Sequence, residues 1–289
     1  MTHFATPTIS SHIYCNRFLF AILFYLCFLL ACSQHQQKLV DAEKLKRSAL
    51  AGEASAQLLF GDMYANGDGV PKDLKVALKW YQLAAKQGNA KAQTTMGMAY
   101  HLGTFNEDPK LPPTPTRFNL VPQDYKEAAK WYRLAAEQRY LPAELHLAAM
   151  YNSGQGVPQN NKESLKWYRL AAEQGDVVAQ RTLGEMYYEG LRVRQDFQEA
   201  SKWFQIAAEQ GDVTVQYELG VMYEKGQGVK RDYELAHMWL NLAAANGHQQ
   251  AAILREHIRP MMTLAQIDRA QTLADNWKPK NEVHARPLR

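Results

Sequence analysis

Small and apolar residues recur along this chain in two alternating registers, and each register fits one face of a short helix. The first places them at i, i+4, i+5 and i+8: Ala56, Phe60, Gly61, Tyr64; Ala92, Met96, Gly97, Tyr100; Ala179, Leu183, Gly184, Tyr187; Val215, Leu219, Gly220, Tyr223. Ala148 stands where the glycine would be in the third series. The second register is a tryptophan, the residue after it and an Ala-Ala pair, anchored at Trp80, Trp131, Trp167, Trp203 and Trp239. Successive tryptophans are 51, 36, 36 and 36 residues apart. A period of this length marks a solenoid, in which each unit buries its apolar face against its neighbours. The expected fold is therefore all-α, an α/α solenoid.

The polar positions between the registers read as punctuation. Gly67-Asp68-Gly69-Val70, Gly154-Gln155-Gly156-Val157 and Gly226-Gln227-Gly228-Val229 form turns between the two helices of a unit; the fourth unit departs with Gly190-Leu191-Arg192-Val193. No strand precedes these glycines and no lysine follows them as in a phosphate loop. Asp73, Asp124, Asn160, Asp196 and Asp232 are expected to cap the second helices, with capping boxes at Asp124/Glu127, Asn160/Glu163 and Asp196/Glu199. Gly88, Gly175, Gly211 and Gly247 are expected to end them. A glycine inside a helix costs about 1 kcal/mol, so the mid-helix glycines imply that another backbone comes close. All five tryptophans are expected in the inter-repeat core, each worth roughly 3–5 kcal/mol if cut to alanine.

Together these residues give Ala-x3-Leu-Gly-x2-Tyr-x2-Gly-x-Gly-Val-x3-Asp-x3-Ala-x2-Trp-x3-Ala-Ala-x-Gln-Gly, which resembles the Sel-one-like repeat (SLR) family, a relative of the tetratricopeptide repeats. Five copies fit, at 54–88, 89–139, 140–175, 176–211 and 212–247. The resemblance implies a right-handed superhelix of antiparallel helix hairpins that acts as an adaptor for other proteins. The ends suit a capped array: residues 39–53 read as a half-repeat through Leu45, Ser48, Ala49 and Gly52, and 248–278 as capping helices. In the last of these, Thr263 and Gln266 form a capping box and Ile267, Ala270, Leu273, Ala274 and Trp277 form the stripe. Residues 279–289 are a basic tail expected to lack order.

The N-terminus carries a different signal. Phe18 to Ala31 is an apolar run of 14 residues, short of the ~20 that span a bilayer, which favours a signal peptide over residues 1–31. Leu29-Leu30-Ala31-Cys32 followed by Ser33 resembles a bacterial lipobox. That resemblance implies lipidation of Cys32, a short tether over 32–38, and sorting of an exported protein to the outer membrane of a Gram-negative cell, facing the periplasm. A firm anchor takes two or more acyl chains.

Composition adds mainly exclusions. Net charge is +4 with signs alternating along the helices, a solvated pattern and not a nucleic-acid footprint. The three cysteines all lie at or before residue 32, so the repeats carry no thiolate metal site or disulfide. His101 and His146 fall in different repeats, and His237, His248 and His257 lack zinc-ligand spacing. No catalytic residue, metal, cofactor or small-molecule substrate is expected, and the partners are expected to be envelope proteins. Two alternatives remain open, a cell-wall or β-lactam-interacting enzyme and a secreted host-interaction factor. Recognition is expected at two places: an inserted proline-rich loop at about 104–120 bearing Phe105, Leu111 and Phe118, and the off-core positions of the first helices. The latter are Thr94, Met98, His101, His146, Arg181, Glu185, Tyr188, Tyr217 and Glu224.

Overall fold

The computed structural model describes residues 40–103, 121–190 and 193–280. Cys32, the expected signal peptide and tether, the inserted loop with Phe105, Leu111 and Phe118, and the tail from 281 lie outside them. Two compact units result, one ending at Pro122 and the other beginning at Gln123. The first contains α1 (40–50), α2 (Ala54–Asn66), α3 (Leu74–Lys86) and α4 (Ala90–Leu102). The second contains α5 (Tyr125–Ala136), α6 (Leu141–Ser153), α7 (Asn161–Glu173), α8 (Val177–Glu189) and α9 (Phe197–Glu209). It continues with α10 (Val213–Lys225), α11 (Tyr233–Ala245), α12 (Gln249–Ile258) and α13 (Leu264–Asn276). Within each unit, consecutive helices from α2 to α4 and from α5 to α12 pack on one another, and the described residues contain no strand. Each unit is thus an α/α solenoid.

Two kinds of joint alternate. At the first, a second helix ends in a Schellman motif, in which two backbone N–H groups satisfy the last carbonyls. After α9, Gly211 N donates to Ala208 O at 3.0 Å and Asp212 N to Ala207 O at 3.1 Å, with Gly211 at φ +96°. Gly211 therefore lies one residue beyond the cap, Gln210. Asp212 then accepts from Val215 N and so opens α10. Asn89 and Asp176 do the same at their joints. One side chain starts a helix at the residue that closes the previous one.

The second joint is the glycine turn. The N-cap amides of Asp73, Asn160, Asp196 and Asp232 donate to the carbonyls of Tyr64, Tyr151, Tyr187 and Tyr223, pinning the start of each second helix to its own first helix. The expected N-caps are present, each accepting from two backbone amides. Their capping boxes do not close. Glu127 and Glu199 reach forward to Lys130 and Lys202, at 2.7 and 2.6 Å, because a lysine three residues on competes for the carboxylate. Only Thr263 and Gln266 among the expected pairs make the reciprocal box.

The core is centred one residue away from where the sequence pattern points. Trp167 and Trp239 are buried, but Trp80, Trp131 and Trp203 are only partly so; the deepest aromatic or aliphatic position is the next one, Tyr81, Tyr132, Phe204 or Leu240. These residues explain the mid-helix glycines. A Cβ on Gly184 would sit 2.2 Å from the Phe204 ring, on Gly61 2.8 Å from the Tyr81 ring, and on Gly220 2.7 Å from Leu240 Cγ. The nearest atoms belong to a side chain of the partner helix, and the expected backbone follows behind it at two positions, Ala77 O at 3.3 Å from the Gly61 Cβ and Ala236 O at 3.4 Å from the Gly220 Cβ. In the third repeat, where Ala148 replaces the glycine, Tyr168 is only partly buried.

The close backbone approach is at the second glycine of the turn. A Cβ on Gly228 would lie 1.9 Å from Phe197 O, and on Gly156 2.1 Å from Tyr125 O. The turn of one repeat therefore rests on the first residue of the previous repeat's second helix.

A polar ladder runs through the same joints. Gln57, Gln93, Gln180 and Gln216, all buried, each donate to the carbonyl eight residues back, at 3.1–3.2 Å. Gln87 and Gln210 in turn donate to the Oε1 atoms of Gln57 and Gln180.

The chain closes with α13 laid on α11. Four second helices carry lysine at the position before the tryptophan (Lys79, Lys130, Lys166, Lys202), and α11 carries Met238 there. Met238, Trp239 and Leu242 are buried in a cluster with Ala274, and Trp277 meets Trp239 edge-on at 6.3 Å. Leu273, expected in this stripe, is exposed, because it falls at the edge of the face defined by Ala270, Ala274 and Trp277. The tail is also more ordered at its start than expected: Lys280 binds Glu209 through both its amide and its Nζ, at 2.8 and 2.7 Å.

Candidate interaction surface

Among the candidate positions, those in the second unit gather. Arg181, Glu185 and Tyr188 lie on α8 at i, i+4 and i+7, one face of that helix. Arg181 holds Asp212 at 2.9 Å and Glu185 at 3.7 Å. Tyr188 packs edge-on against Phe197 and donates to Gln227 Oε1 at 3.2 Å, while Tyr217 on α10 stacks on His248 with ring centres 4.4 Å apart. In the first unit, Met98 is exposed on α4, and His101 is partly buried, which pushes its imidazole below the ordinary range.

Other candidates are packing residues. Thr94 is buried with its hydroxyl on Ala90 O, and His146 stacks on Tyr132 at 4.7 Å. Both sit where a helix turns toward its neighbour, which the spacing within one helix does not reveal.

Two residues that spacing missed complete the surface. Glu218 on α10 faces Glu185 and Glu189 on α8. Burial raises the Glu218 carboxyl above its usual range, and the charges of Glu185 and Glu189 add to this against the opposing pull of Lys225. Glu185 is raised for similar reasons, burial first, with Arg181 opposing and Glu189 and Asp212 adding. The signal was available only in three dimensions, because Glu185 and Glu218 occupy different positions of the repeat.

A carboxyl raised in the folded state favours folding below its unfolded value and loses that contribution as pH rises through the folded one. Glu218→Gln is therefore expected to raise the melting temperature by about 2 °C at pH 7.5. It should have no effect below about pH 3, where the carboxyl is protonated in both states. Thermal unfolding at both pH values checks this, and an equal effect at both would remove the repulsion from the account.

The arrangement offers carboxylates and tyrosines to a partner, and no nucleophile, base and orienting group converge in it. Among the described residues, no three His, Cys, Asp or Glu side chains are grouped as metal ligands would be. No helix among them is long and apolar enough to cross a membrane.

Comparison with known proteins bears on what such a surface is for. A family model described as Sel1 repeat matches residues 54–89, 118–140, 141–176, 177–212 and 214–248. A comparison with curated proteins found no match. Among solved structures, a protective antigen present in uropathogenic Escherichia coli strains, displaying an SLR fold, is 34% identical with a TM-score of 0.64. That alignment covers 81% of this chain and 48% of the other, so the chain spans about half the length of that relative. A Sel1 repeat protein from Oxalobacter formigenes is 30% identical with a TM-score of 0.61, over 82% of this chain and 97% of that one.

Proposed function

The chain belongs to the Sel1 repeat family, whose members are typically protein-interaction scaffolds, and from that premise we propose that it is a non-catalytic adaptor of the bacterial cell envelope. The observation that carries this reading is the surface shared by α8 and α10. Its carboxylates, partly buried at Glu185 and Glu218 and exposed at Glu189, raise one another's protonation, an electrostatic cost that a cationic side chain from a partner would relieve. The partner is accordingly a protein with an exposed basic segment.

The second half of the proposal concerns place. The apolar run ending in Leu29-Leu30-Ala31-Cys32 supports export with lipid attached at Cys32, which would hold the array at the outer membrane facing the periplasm. The E. coli relative's description as a protective antigen supports a protein that is exported from the cytoplasm.

Crosslinking and recovery from intact envelopes tests both halves, using the wild-type chain, the Glu185→Gln/Glu218→Gln variant, a chain lacking 105–119 and Cys32→Ala. Discrete partners recovered with wild type should fall at least about fivefold with the double variant, since each close charge contact across an interface is worth ~1 kcal/mol or more. Partners lost only on deleting 105–119 would move the contact to the inserted loop. Cys32→Ala should leave the membrane fraction, and its staying there would end the lipid-anchor reading.

A further inference from the structure

The polar ladder changes chemistry at one rung. Glu144 stands in the third repeat where Gln57, Gln93, Gln180 and Gln216 stand in the others, and it is completely buried. An ionised carboxylate has no proton to donate, so it cannot bond the carbonyl eight residues back, which here is Ala136 O. Its Oε2 accepts from Gln174 Nε2 at 2.6 Å. Its Oε1 has no hydrogen-bond partner and lies 3.4 Å from Arg139 Nε.

Arg139 is the exception at its own position too. The corresponding residues are Gly52, Gly88, Gly175, Gly211 and Gly247, and Arg139 is the one non-glycine residue with positive φ among the described residues, at +63°. Its side chain donates to Leu170 O on α7 at 3.2 Å, so it ties the α5–α6 joint to the next second helix. Two departures from the repeat pattern, five residues apart in sequence, thus meet as an ion pair. The other charged group facing Glu144 is Glu173 at the end of α7, which disfavours ionisation. Burial, the larger influence, acts in the same direction and raises the carboxyl; Arg139 and Gln174 oppose it.

We propose that the α5–α6 joint is a proton-operated switch. With Glu144 ionised, Arg139 holds the joint; with Glu144 protonated, its O–H donates to Ala136 O as glutamine does elsewhere, and the ion pair with Arg139 is lost. The acceptor is suitably placed in the backbone: Ala136 O takes the amide of Arg139 at 2.9 Å, as Ala85 O takes that of Gly88 while also accepting from Gln93. Acid therefore converts the marked joint toward an ordinary one by removing the ion pair on Arg139, whose bond to Leu170 O does not depend on the carboxylate. The inference does not depend on what the array binds.

The test is a cycle of R139G and E144Q in the full chain, with melting temperatures at pH 7.5 and pH 4. At pH 7.5, R139G strands an ionised carboxylate and should lower the melting temperature by about 4 °C. At pH 4 the same change should be neutral or stabilising, because glycine suits the left-handed backbone. In the E144Q background R139G should be neutral or stabilising at both pH values. An R139G effect of the same sign and size in both backgrounds and at both pH values would overturn the switch. Should R139G fail to fold at pH 7.5, the R139G/E144Q double variant decides: the switch requires it to fold, and its failure to do so overturns the proposal.

Discussion

Replacing Gly228 by alanine should destabilise the second unit by roughly 2–5 kcal/mol, the sum of an overpacking penalty and left-handed backbone strain. The added Cβ would lie 1.9 Å from Phe197 O, and a carbonyl at the head of a helix cannot swing aside as a side-chain tip can. Gly247→Ala is the matched control. It has φ +91° and nothing within 4 Å of the added atom, so it should lose only about 1 kcal/mol, from backbone strain. Urea unfolding of the two variants separates strain from collision. Equal losses would mean that the turn does not bear on the preceding repeat.

Phe204→Ala should cost about 3–5 kcal/mol, as expected for a fully buried aromatic ring. Trp203→Ala, one residue away and half-buried, should cost less, about 1–2 kcal/mol. The reverse order would put the core back where the tryptophan spacing places it. Gly184 gives an internal check. Gly184→Ala alone drives a methyl into the Phe204 ring and should cost about 1–3 kcal/mol. Once Phe204 has been cut back, the same change should become neutral or favourable by up to about 1 kcal/mol, through helix propensity. That change of sign is a coupling which additive effects cannot produce.

The repeats were legible because their determinants are local. The Asp and Asn caps act within three residues, and positive-φ glycines act on their own backbone, so Asp73, Asp196, Gly211 and Gly247 stand in the structure much as the pattern implies. The capping boxes implied by the pattern do not form because Glu127 and Glu199 have a second suitor three residues on. The glutamine ladder is hard to see in the sequence because an isolated glutamine looks solvated, although it returns at the repeat period; its partner is a carbonyl, which leaves no trace in side-chain pattern. The docking of α13 had one clue, Met238 at the position held elsewhere by lysine. The α8 and α10 surface was half legible: Arg181, Glu185, Tyr188 and Tyr217 follow from position, but Glu218 enters only through the approach of two helices.

Asn89, Asp176 and Asp212 have a consequence for how the chain can vary. Each terminates one helix and initiates the next with a single residue, so the two events cannot be pulled apart. An extra residue there would fray two helices at once, and a deletion would leave neither with an end. Length can be absorbed only at the opposite end of the hairpin, between a first helix and its second, and that interval is where the insertion after Gly103 lies in the sequence. The joint thus works as a one-sided ratchet on the gene: whatever novelty enters by insertion is delivered to the same edge of every repeat.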